Sequence, residues 1–175
     1  DIVNDVWGFQ KDSDIAAVVA SHGAGAVLMH TGRERDRLRG VLADQQLFLG
    51  KSLEIARHAA IARDSVVVDP GLGFAKDPDE NFELLASIGS LHALGQPVLV
   101  GASRKRFIGH ATGREVGSRD AGTSATSVVA RLQGAAIFRV HDVAMNRDAL
   151  AIADAVLDAA RRLDRGEPTG TGAEQ

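Results

Sequence analysis

Cysteine and tyrosine are both absent from this sequence of 175 residues. Without a thiol there are no disulfides, no thiolate metal sites and no cysteine nucleophile, and the absence suits a reducing compartment. Aromatic residues are only 4% of the chain, so its core must be built from Val, Leu, Ile and Ala. No apolar run approaches the ~20 residues that cross a bilayer. The opening DIVNDVWGF has neither the basic nor the apolar region of a signal peptide. Excess charge is missing too: 20 Lys and Arg against 23 Asp and Glu give a formal net charge of −3. That balance points away from nucleic-acid and lipid surfaces. Ordinary hydrophobic (45%) and charged (25%) fractions exclude disordered and fibrous classes.

Glycine, by contrast, is plentiful at 19 residues, against a usual share of about 7%. Many glycines beside small aliphatics suit a parallel α/β protein with tight strand-to-helix loops. Short β-branched runs at Asp1–Val6, Ala26–His30, Ser65–Asp69, Pro97–Gly101 and Ala136–Val140 read as strands. Helices are expected over Asp14–Ser21, Arg35–Arg63, Asp79–Leu94, Gly117–Gln133 and Asn146–Leu163. The third opens on Asp77-Pro78-Asp79-Glu80, with Pro at an early position and acid in the first turn, and closes at Gly95. Five βα units result, followed by a polar, Gly-rich tail over residues 164–175 that reads as disordered.

Function in parallel α/β folds sits at the carboxyl ends of the strands. Those ends carry Asn4-Asp5, Met29-His30, Asp69-Pro70-Gly71, Gly101 through Lys105, and Arg139 through Asp142. Asp69 can accept paired N–H donors from a heterocycle, although Asp before Pro-Gly is also a common loop cap. Gly71 through Lys76 lacks the third glycine of a dinucleotide loop, and Pro70 interrupts the turn. Its glycines allow close approach to a flat ligand, with Phe74 as a stacking wall. Ser103-Arg104-Lys105-Arg106 is a cationic cluster directly after a buried strand. Arg139 and His141, two residues apart, point to one face and make an anion site. His141-Asp142 has no second histidine nearby, so no protein metal site is expected. Asn4 offers an amide donor and acceptor to a ring edge, and Met29 reads as core or pocket wall. Together these suggest a transferase or lyase acting on a phosphorylated heterocycle.

In order, VNDV at 3–6, LMH at 28–30, DPGLGFAK at 69–76, LVGASRKRFIG at 99–109 and RVHDV at 139–143 resemble the dihydropteroate synthases, a pterin-binding family of the folate pathway. The resemblance runs from residue 1 to about residue 163. It implies a parallel α/β fold of the (β/α)8 TIM-barrel type, here an incomplete barrel of about five βα units. The implied reaction condenses 6-hydroxymethyl-7,8-dihydropterin diphosphate with p-aminobenzoate, releasing 7,8-dihydropteroate and pyrophosphate. By the same resemblance Asn4, Asp69 and Lys105 hydrogen-bond the pterin, with Met29 and Gly101 lining its pocket. Arg139 and His141 hold the diphosphate, and Phe74, Ser103 and Lys105 form the p-aminobenzoate side, where sulfonamides compete. Lys105, Asp69 and Arg139 are the residues assigned to catalysis. Mg²⁺ is implied as cofactor, held mainly by substrate diphosphate and by family residues absent from this chain. A cytoplasmic homodimer is implied for the full-length enzyme, with no nucleic-acid or membrane partner.

The family's N-V-T-P-D-S-F-S-D strand and loop, its G-G-E-S-T-R-P-G loop and its V-D-T strand end do not occur here. After Met29-His30 the run Thr31-Gly-Arg-Glu-Arg is unusually charged for the family. A complete eight-fold barrel takes about 250 residues, so the chain is expected to be barrel strands four to eight. Two alternatives stay open: a pterin-binding module of the methyltetrahydrofolate-handling type, and an inactive fragment lacking the N-terminal loops.

Overall fold

Five short parallel strands form in chain order in the computed structural model, which describes residues 1–12 and 14–166. They are β1 (Ile2–Asp5), β2 (Gly25–Met29), β3 (Val66–Asp69), β4 (Leu99–Val100) and β5 (Ile137–Phe138). β1 pairs with β2 and β2 with β3, all parallel, and β4 pairs in parallel with β5. A parallel bridge between Val68 and Val98 joins the two groups. The register places Met29 opposite Asp69, so adjacent strands end at one level. That level is the rim on which the candidate residues lie. This is the parallel α/β architecture expected from the sequence, and the sheet is not closed among the described residues.

The helices are α1 (Asp14–Ser21), α2 (Val41–His58), α3 (Pro78–Ala86), α4 (Arg106–Thr112), α5 (Asp120–Leu132) and α6 (Val143–Asp164). α3 begins as its sequence dictates. Asp77 accepts from the Glu80 backbone N–H, Glu80 returns the bond to Asp77, and Pro78 occupies the first turn. The expected long helix over Asp79–Leu94 instead breaks at Ser87 and continues as a 3₁₀ segment over Ile88–Leu94, ending on left-handed Gly95. The helix expected from Arg35 starts at Val41, because residues 31–40 are drawn into side-chain bonds described below. α4 is an addition to the sequence expectation. α6 takes in Asp164, assigned to the tail; the rest of that tail from residue 167 lies outside the described residues.

With few aromatics, the core is aliphatic and falls into two clusters. Under β3 and β4, Val68, Val98 and Val100 meet Leu84, Leu85, Ile88 and Leu91 of the α3 region, closed by Phe107. Under β1 and β2, Ala26 and Leu28 meet Phe9, Val19, Ala56 and Ile61. Burial of this apolar surface, at roughly 25 cal/mol per Å², fixes the strand ends that carry the polar residues.

Candidate functional site

Asp69 ends β3 with only 1% of its surface exposed, and its two oxygens do different work. Oδ1 accepts from the Gly71 backbone N–H at 2.7 Å, which is the loop cap. Oδ2 accepts from Arg139 Nη2 at 2.9 Å. The loop cap and the carboxylate that binds Arg139 are therefore one residue. Arg139 Nη1 also donates to Asn4 Oδ1 at 2.6 Å, so this guanidinium spans from β5 to β3 and β1. Gly101 makes the crossing possible, since a Cβ there would stand 2.5 Å from Arg139 Nη2. Asp5, beside Asn4, is spent on the turn: its carboxylate accepts from the Trp7 and Phe9 backbones.

The glycine-rich loop approaches the chain's own groups closely. A Cβ on Gly71 would collide with the His30 carbonyl oxygen, and one on Gly73 would meet the Lys105 stem at 3.0 Å. Lys105 donates to the Leu72 carbonyl and lies 4.6 Å from the Phe74 ring centre. Burial pushes its ammonium down to about 8; Asp69 pulls it up, while Arg139 and Arg33 push it lower. Phe74 carries a second cation, Arg33, at 4.8 Å.

Ser103 is bound to His141. Its Oγ lies 2.8 Å from His141 Nδ1 and accepts from the His141 backbone N–H at 3.2 Å. The hydroxyl can donate to Nδ1 or accept from it, as the imidazole tautomer sets, while it accepts the backbone N–H on its other lone pair. Arg104, with φ 58°, is turned away to a two-pronged pair with Asp120 at 2.7 and 2.8 Å. The cationic cluster read from the sequence thus divides: Arg104 is structural, Lys105 faces Asp69, and Arg106 is exposed. Met29 is fully buried against the Gly71 position.

Sequence reasoning gave no role to Lys76, Arg33 or the His30–Asp44 pair. Lys76 donates to the Gly71 and Phe74 carbonyls at 2.8 and 3.2 Å, and burial pushes it down to about 7 despite the pull of Asp69. His30 is wholly buried, with Nε2 3.0 Å from Asp44 Oδ2 and its ring edge-on to Phe48. Burial, with Lys76 nearby, drives the imidazole down to about 3. Burial alone would raise the Asp44 carboxyl. Arg35, the Leu38 backbone N–H and His30 outweigh it and hold the group at about 2. Arg35 pairs with Asp44 and reaches the Thr31 carbonyl, and Arg37 joins Glu80 and the Ala75 carbonyl. The charged run after His30 is therefore a folded strap across the site. Its sequence signal was visible only as charge, because the acceptors lie up to 43 residues away.

Asp142 accepts from the Met145 backbone and caps α6. Among the described residues no three His, Cys, Asp or Glu side chains converge to hold a metal ion. No helix of the described residues is long and apolar enough to cross a membrane.

A sequence model of the family described as pterin binding enzyme matches residues 1–141. The chain belongs to this pterin-binding enzyme family. Its curated relatives include a dihydropteroate synthase of Clostridium beijerinckii, 36% identical over 157 residues, covering 89% of this chain and 58% of that protein. A dihydropteroate synthase from Clostridium difficile, crystallised in the presence of pteroic acid, superposes with a TM-score of 0.85 at 37% identity. It covers 89% of this chain and 59% of that one. The Yersinia pestis dihydropteroate synthase in a sulfonamide drug complex gives 0.84 at 32% identity, over 90% and 60% of the two chains. This member of the pterin-binding enzyme family thus spans less than two thirds of the length of these relatives.

Proposed function

We propose that this chain takes part in dihydropteroate synthase chemistry: p-aminobenzoate displaces pyrophosphate from 6-hydroxymethyl-7,8-dihydropterin diphosphate. The observation that carries the reading is the convergence of Asn4, Asp69 and Arg139 beside Lys105 and Phe74. A buried carboxylate and an amide oxygen, held together by one guanidinium, are acceptors suited to the amidine-like edge of a pterin. Membership of the family and the names of its relatives support the same chemistry.

In this reading the pterin edge replaces the Arg139 guanidinium on Asp69 Oδ2 and Asn4 Oδ1, and Lys105 donates to the ring. Arg139 and the His141 imidazole then face the diphosphate. The amine lone pair attacks the exocyclic methylene carbon and the C–O bond breaks. Its electron pair leaves with pyrophosphate, and the attacking nitrogen sheds a proton. Charge grows on the leaving oxygen, where fixed cations help most. The rest is alignment of the amine against Phe74. Mg²⁺, where it takes part, would be held mainly by the substrate diphosphate and by family residues absent from this chain, and would offset charge on the leaving group.

Calorimetry of this chain with the pterin diphosphate tests the assignment. Asp69→Asn is expected to weaken binding about tenfold or more, the worth of one charge-assisted hydrogen bond. Unchanged affinity would overturn it.

A further inference from the structure

Arg104 is held to α5 through its backbone and its side chain alike. Its N–H donates to Thr123 Oγ1 at 3.1 Å, and its carbonyl accepts from Arg119 Nη1 at 3.0 Å. Nε and Nη2 of its guanidinium meet the two oxygens of Asp120 at 2.7 and 2.8 Å. All three partners stand at the start of α5. The residue they grip is left-handed, with φ 58°. It is the third residue of a turn that closes where the Lys105 N–H donates to the Ala102 carbonyl at 3.1 Å. A positive φ at that place in a turn calls for glycine or asparagine.

An arginine here does not serve local stability. A side chain in the left-handed region costs roughly a tenfold factor in equilibrium. The ion pair is part exposed, 33% at Arg104 and 19% at Asp120, where such pairs contribute little. Backbone in such a region persists because its surroundings over-determine it. What the turn achieves is direction. The residues on either side of Arg104 go to different strand ends: Ser103 Oγ lies 2.8 Å from His141 Nδ1, beyond β5. Lys105 Nζ donates to the Leu72 carbonyl, beyond β3, and faces Asp69. Glycine would take the same φ freely but would tie the turn to nothing.

We propose that Arg104 and Asp120 are positioning residues: Asp120, acting through the left-handed Arg104, aims Ser103 at His141 and Lys105 at Asp69. The inference rests on the synthase reading for the ligand those side chains meet, and adds two residues that touch no ligand themselves. Thr123 and Arg119 complete the grip from the same helix start. Fixing Ser103 and Lys105 before the ligand arrives removes their reorientation from the binding step.

The test compares R104A with R104G, which lose the same guanidinium but differ in their tolerance of a left-handed backbone. Calorimetry with 6-hydroxymethyl-7,8-dihydropterin diphosphate is expected to show both weaker than the parent, with R104G about tenfold tighter than R104A. Equal affinities of the two variants overturn the inference. D120A is expected to weaken binding in the parent and to change nothing further in R104G, since Asp120 acts through Arg104. An equal loss in both backgrounds overturns it. If R104A does not fold, D120A against the D120A/R104G double variant makes the same comparison, glycine again restoring affinity. The ring nitrogens of His141 in a ¹H–¹⁵N spectrum supply a readout that needs no ligand. R104A and D120A are expected to move them toward their positions in S103A, while R104G stays nearer to the parent. Signals unmoved in R104A and D120A overturn the inference. A parent that does not bind the pterin diphosphate overturns the synthase reading instead, and the His141 signals then decide the positioning alone.

Discussion

Arg139 occupies Asp69 and Asn4 at the same time, at 2.9 and 2.6 Å, with a guanidinium that imitates the N–C–N donor edge of an aminopyrimidine ring. On the proposed function, ring and guanidinium compete for the same oxygens. A ligand that takes Asp69 Oδ2 must therefore displace Arg139 from it.

Arg139→Ala should separate these two roles. A pterin without diphosphate is expected to bind the variant up to about tenfold tighter, since it no longer displaces a charge-assisted bond. The pterin diphosphate should bind more weakly than it does to the parent. Calorimetry with both ligands checks this; equal changes for the two would show that Arg139 does not couple them.

Binding of the anionic pterin should depend on the charge of Lys105. The ammonium, held down to about 8 by burial, is present below that pH and lost above it. Affinity is expected to hold near neutrality and fall above pH 8, by at most about tenfold per unit. Lys105→Met should remove that step. A step that persists in the variant assigns it elsewhere.

His30 makes the fold sensitive to acid. Its folded value of about 3 lies below the ordinary 6.5, so between these limits the unfolded chain binds the extra proton. Stability is complete above 6.5 and drains away as pH falls toward 3. Asp44, lowered from 3.8 to about 2, adds a loss in the more acid range. Urea midpoints across pH 3–7 should show the decline, and His30→Leu should flatten its upper part.

Asp44→Ala strips the acceptor from Arg35, the Leu38 backbone and His30 together. Breaking a buried charge pair on one side costs about 3–5 kcal/mol. The strap over 31–40 should loosen as well, which trypsin would report as faster cleavage after Arg33, Arg35, Arg37 and Arg39. Unchanged cleavage would mean that Asp44 does not hold the strap.

Local signals were strong where one residue settles one element. Asp77, Pro78 and Glu80 announced α3, and the apolar runs ending in Asp69 and Met29 announced β3 and β2 with their rim. The ends of the long helix were not legible. The strap before Val41 is held by Asp44 and Glu80, and no periodicity records a partner so distant in sequence. The residue types at the site were readable for a related reason, since strand ends place Asn4, Asp69 and Arg139 on one rim. Their mutual bonding was not, because it depends on Gly101 leaving room for a side chain arriving from β5.

Gly71 and Gly101 predict unlike histories under selection. At Gly71 the missing methyl would strike the main-chain carbonyl of His30, a residue whose own N–H is bonded to the Asp69 carbonyl where the strands end. At Gly101 it would strike the tip of an arginine, which can swing aside. A lineage exploring variants can therefore alter position 101 and retune how firmly the mouth is held. Position 71 offers it no such path.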